Sequence, residues 1–98
     1  MIDIIFLHDR NWKIKGYRVV FGEFCDNDVA NQIHGLLLGT KLALQELKAY
    51  HCKSDDDDVY EVEVTRQNKN TAAVLQPLIH ALRYLVMAFP HNVAVKHF

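Results

Sequence analysis

Ile2, Ile4, Ile5, Phe6 and Leu7 make a short apolar run with β-branched and aromatic content, and His8-Asp9-Arg10-Asn11 supplies turn formers before Trp12. The pattern predicts a strand entering a turn. Residues 13 to 25, KIKGYRVVFGEFC, are rich in Val, Phe and Tyr and long enough for a second strand, with Gly16 or Gly22 marking a bulge or a close backbone approach. Together the two strands form a hairpin. After three candidate N-caps in Asp26-Asn27-Asp28, Val29, Ile33, Leu36, Leu37, Thr40, Leu44 and Leu47 recur at steps of three and four, which predicts a long helix over residues 28 to 52. Its polar stripe, His34, Lys41, Gln45 and Lys48, is narrow, and Leu38, Leu42 and Ala49 fall outside the main apolar face. Gly35, Gly39 and Ala43 lie beside them at four-residue spacing and form a shallow groove that would let another backbone come close. Such a helix has more than one side to cover.

Lys53 and Ser54 lead into Asp55, Asp56, Asp57 and Asp58, whose like charges repel, so residues 53 to 58 are expected as a solvated loop. Tyr60, Val62 and Val64 then alternate with Glu61 and Glu63, the period of a strand with one face on the core and the other in water. From Thr71 onward, Val74, Leu75, Leu78, Ile79, Leu82, Leu85, Val86 and Phe89 share one helical face. Pro77 has no backbone N–H to donate, which implies either a regular helix beginning near Leu75 or kinked first turns, and Pro90 ends the segment. Val93 and Val95 suggest a short last strand, with Lys96 suited to an exposed edge. The order predicts an α/β (α+β) fold of two layers: a β-hairpin, then α-β-α and a terminal strand, with a mixed sheet carrying both helices on one face.

A length of 98 residues, 50% hydrophobic and with a net charge of -1, is the arithmetic of one compact domain spanning residues 1 to 98. Disorder and bulk attraction to polyanions are both disfavoured by that balance. The N-terminus lacks the basic opening and cleavage site of a signal peptide, and Lys41 and Gln45 interrupt the longest apolar stretch. A cytoplasmic location with no membrane partner is the expectation. Cys25 and Cys52 flank the expected helix, whose length would hold them more than about 30 Å apart, beyond the reach of a disulfide.

Charge distribution is more informative than net charge. Arg10, Lys13, Lys15 and Arg18 share the hairpin with Trp12 and Tyr17, and cations interleaved with aromatics neutralise phosphates and stack on unpaired bases. The competing structural reading, which is favoured, sets Glu61 and Glu63 across from Lys13 and Lys15 as surface cross-strand pairs. The four aspartates do not follow an EF-hand: counted from Asp55, Tyr60 occupies the sixth position and Arg66 the twelfth. None of the six histidines pairs at a zinc-motif spacing, so no metal site and no cofactor are indicated. Cys52, read at a helix C-terminus before four aspartates, is a poor thiolate; Cys25 is better placed near a helix start but is opposed by Asp26 and Asp28. No nucleophile elbow, P-loop or dinucleotide-binding glycine pattern occurs.

The element order is similar to that of a trimmed ribonuclease-H-like fold, which would imply a metal-dependent nuclease. Asp3 would serve on the first strand, but the long helix carries His34, Gly35 and Leu38 where a carboxylate is wanted, so this ranks below the other readings. The favoured reading is a non-enzymatic protein-binding module of the adaptor or inhibitor kind, acting on a larger partner protein or on a second copy of itself. Its candidate surface is Gly35, Leu38, Gly39 and Leu42 on the helix with Asp55, Asp56, Asp57 and Asp58 in the loop. The alternative is a nucleic-acid-binding domain that uses Arg10, Trp12, Lys13, Lys15, Tyr17 and Arg18.

Overall fold

The computed structural model describes residues 1–22, 26–56 and 58–98. Strand β1 (Ile2–His8) buries Ile2, Ile4 and Phe6 completely, and β2 (Ile14–Phe21) answers with Tyr17 and Val19. Asp9 shapes the turn between them: its Oδ1 accepts from the backbone N–H of Asn11 and of Lys13, both at 2.9 Å, and Trp12 adopts a left-handed φ of 62°. Beyond the turn the register shifts, with Leu7 opposite Gly16 and His8 opposite Ile14. Gly16 is needed for contact, since a Cβ there would lie 2.6 Å from the Val62 carbonyl oxygen of the neighbouring strand.

Helix α1 (Asn27–Glu46) starts where the sequence signals it, with Asp26 Oδ1 accepting from the N–H of Asp28 at 3.0 Å and of Val29 at 3.1 Å. It stops earlier than the expected residue 52. Lys48 takes a left-handed φ of 55° and reverses the chain, and the residues expected in the last helical turns and in a solvated loop form strand β3 (Tyr50–Asp55) instead. Tyr50, Cys52 and Ser54 are half-buried while His51, Lys53 and Asp55 are exposed, a period-two pattern hidden because its inward side chains are mostly polar. Cys52 therefore lies in a strand, not at a helix C-terminus, and the separation argument against a disulfide loses its premise; Cys25 lies outside the described residues.

Strand β4 (Val59–Val64) buries Val62 and Val64, with Tyr60 half-buried, as the alternation predicts. Glu61 and Glu63 occupy the other face, but their partners are Arg18 at 3.9 Å and Lys53 at 3.8 Å instead of Lys13 and Lys15. The hairpin bulge leaves Lys15, one extra residue in β2, without a partner in the register, and β4 pairs with β2 only from Gly16 onward. Helix α2 (Lys69–Ala88) begins well before Leu75, because Asn68 and Thr71 form a reciprocal capping box. Pro77 sits inside it on the exposed side, so the helix loses one ladder bond without a steric conflict with the core.

Strand β5 (Val93–His97) returns parallel to β1, completing a mixed sheet in the order β3-β4-β2-β1-β5. Both helices pack on one face of it. Val29, Ile33, Leu37 and Leu44 of α1 and Leu75, Leu78, Leu82 and Leu85 of α2 meet the inward residues of the strands in a single core cluster. By length and composition α2 alone among the described helices would suit a membrane, yet its apolar stripe lies on the sheet. The element order is thus β-β-α-β-β-α-β, two layers with one strand more than expected.

Candidate functional site

Strand β2 hands the chain to α1 at the same end of the sheet where β3 turns into β4, because β4 runs antiparallel to both β2 and β3. A groove of about 400 Å³ lies there, between the flank of α1 and the tip of the β3–β4 hairpin. His34, Leu38 and Lys41, spaced by four and three residues, line it from the helix; Phe21 lines it from β2, Tyr60 from β4, and Asp55 and Asp56 from the hairpin. His34 stacks on Phe21, with ring centroids 4.6 Å apart and planes 13° from parallel. That contact orients an exposed imidazole over the groove without burying it.

Beneath this wall, the Tyr50 and Tyr60 hydroxyls are 2.6 Å apart, and the Lys41 ammonium lies 5.9 Å from the centre of the Tyr50 ring. Desolvation is the largest cause raising the pKa of Tyr50, Tyr60 and the fully buried Tyr17; the hydrogen bond between Tyr50 and Tyr60 raises Tyr50 further and partly offsets the rise at Tyr60. All three therefore remain protonated at neutral pH. The groove thus offers an apolar wall, the neutral hydroxyl of Tyr60, one imidazole, one ammonium and an acidic rim.

Of the residues picked out from sequence as a protein-binding surface, Leu38, Asp55 and Asp56 converge on this groove. Leu42 is 56% exposed farther along the helix, and Gly35 and Gly39 face open space, so nothing within the described chain uses the close approach they permit. Asp58 is exposed with its carbonyl accepting from the Phe21 N–H at 2.8 Å, while Asp57 lies outside the described residues. His34, Phe21 and Tyr60 are not singled out as site residues by the sequence. The helical spacing of His34, Leu38 and Lys41 is legible there, but Phe21 and Tyr60 are brought to the groove only by strand pairing. Asp3 sits on β1, half-buried, opposite Val20.

The basic and aromatic set does not assemble. Arg10, Trp12 and Lys13 are exposed in the turn and Lys15 is exposed at the bulge, whereas Tyr17 is fully buried and Arg18 pairs with Glu61 on the helix-free face. Among the described residues no three His, Cys, Asp or Glu side chains are grouped to hold a metal ion.

No family model matches the chain, and no curated protein does. Solved structures do. The essential ribosomal processing protease Prp from S. aureus, in complex with a covalently linked product peptide, superposes with a TM-score of 0.81 over 100% of both chains at 17% identity. The same protease with a substrate peptide gives 0.80 at 15% identity, again over 100% of both chains. A protein of Streptococcus mutans gives 0.80 at 14% identity, covering 100% of this chain and 97% of the other. At these identities the likeness establishes the fold.

The expectation of a non-enzymatic adaptor or inhibitor module, with its nucleic-acid alternative, is corrected by this finding: over its whole length the chain shares its fold with a protease solved with product and substrate peptides. The expectation rested on a missing catalytic set, and one of its premises fails physically: Cys52 lies in strand β3 and not at a helix C-terminus. The premise concerning Cys25 falls outside the described residues.

Proposed function

We propose that this chain is a peptide-processing protease whose substrate lies in the groove between α1 and the β3–β4 hairpin. The observation that carries the reading is the superposition, over the full length of both chains, on a ribosomal processing protease caught with product and substrate peptides. An extended peptide suits a groove of this kind: Leu38 and Phe21 take an apolar side chain, and Asp55 and Asp56 attract a basic one. By the same analogy the substrate class is a segment of a ribosomal protein, which is rich in such basic residues.

Amide hydrolysis needs a nucleophile and a base. His34 is the groove's imidazole, the side chain best suited to take a proton from an attacking group. Cys25 is the candidate nucleophile, since it stands in the sequence between Phe21, the ring that stacks on His34, and the cap of α1. The test is incubation of the purified chain with a degenerate library of basic peptides, with products identified by mass spectrometry. Cleavage at defined sites is expected, reduced by roughly 10²-fold or more in His34→Ala and in Cys25→Ser while circular dichroism and melting are unchanged. Absence of cleavage overturns the proposal, and full activity in Cys25→Ser overturns the thiol route.

A further inference from the structure

A second and larger cleft, about 660 Å³, opens at the opposite end of the sheet, between the β1–β2 turn, the first half of α2 and the end of β5. Its floor is aliphatic, built from Ile14, Leu75 and Ile79. On one wall His8 and Trp12 stack, with ring centroids 4.1 Å apart and planes 5° from parallel. His8 is fixed at both ring nitrogens: Nδ1 lies 3.1 Å from the Trp12 carbonyl oxygen and Nε2 lies 2.9 Å from Nδ1 of His97. The indole of Trp12 remains 66% exposed and offers a held, flat surface.

The rim is cationic. Lys13, Lys69 and Arg83 line the cleft, and no Asp or Glu is among its described lining residues. The carboxylate of the adjoining turn, Asp9, accepts from the N–H groups of Asn11 and Lys13 and is turned to its own backbone. An apolar floor beneath unopposed cations is complementary to a molecule with an apolar body and one negative group. We propose that this cleft binds a small organic anion, a monocarboxylate on a flat apolar body, with the body on the aliphatic floor against Trp12 and the carboxylate among Arg83, Lys69 and Lys13.

His97 adds a pH dependence. Its burial, then His8 and Arg83, hold its imidazole below the ordinary range, and Lys13 and Lys69 stand at the same cleft with the same sign. A carboxylate entering there favours the imidazolium, so binding tightens as pH falls.

The probe is 3-phenylpropionate, compared with its neutral isostere 3-phenylpropan-1-ol, by calorimetry on the full chain. The single tryptophan, Trp12, reports occupancy by fluorescence. Expected are saturable binding of the acid with a shift in Trp12 emission, affinity for the alcohol weaker by roughly tenfold, and a similar loss for the acid in Arg83→Gln. Affinity for the acid should rise between about pH 8 and about pH 6. Equal affinity for acid and alcohol, no binding of either, or unchanged acid binding in the exposed-site variant Arg83→Gln overturns the proposal.

Discussion

His34 is ordinary as a sequence position and defined as a structural one: the ring of Phe21, thirteen residues earlier, stacks on it and turns it over the groove. Gly16 shows a similar dependence on a distant partner. A methyl group there would lie 2.6 Å from the Val62 carbonyl oxygen, a backbone atom that moves only if β2 and β4 part. Gly16→Ala is expected to destabilise the fold by about 1–3 kcal/mol in denaturant unfolding, although alanine elsewhere in a strand is the better residue. His97 carries a second residue-level expectation. Its folded pKa lies below the ordinary 6.5, so in the intervening range the unfolded chain binds more protons. Its contribution is present above that value and is lost as pH falls through it. The wild-type melting temperature should therefore drop more than that of His97→Gln between about pH 7.5 and about pH 5.5; parallel curves would refute this.

Among the elements, α1 separates core from site along its own length. Leu38 is 55% exposed and lines the groove, whereas Leu78 on α2 is 2% exposed within the shared core. Leu38→Glu should change the melting temperature little, since its carboxylate stays in water, but under the proposed function should weaken peptide cleavage by removing an apolar wall. Leu78→Ala should cost about 2–5 kcal/mol of stability. A large destabilisation by Leu38→Glu would show that the residue belongs to the core. The alternation in β4 and the apolar period of both helices were legible because each buries one whole face against one partner. Strand β3 was not, because an edge strand pairs on one side only and its inward positions include Cys52 and Ser54, which carry no hydrophobic period.

At the scale of the whole molecule, strand order divides the sheet into a protected centre and two edges. β4, β2 and β1 each have two neighbours, while β3 and β5 have one. Amide exchange should accordingly be slowest in β1 and β2 and fastest, among the strands, in β3 and β5; an edge strand exchanging as slowly as β1 would contradict the order. The two clefts lie at opposite ends of this sheet, so ligands at one do not compete for side chains at the other.

Local periodicity and local chemistry, both present in the sequence by itself, determined the hairpin, the start of α1 within Asp26-Asn27-Asp28, the half-buried alternation of β4, and two helices on one face of a mixed sheet. They also singled out Leu38, Asp55 and Asp56, because surplus apolar surface and clustered charge are visible without coordinates. Only the tertiary structure decided that these three share a groove with Phe21, His34 and Tyr60, and that Tyr17 and Arg18 leave the basic cluster for opposite faces of the sheet. The reason is that strand register joins residues tens of positions apart. A shift of one residue in pairing exchanges inside for outside, and that choice is made by the packed core as a whole rather than by any local segment.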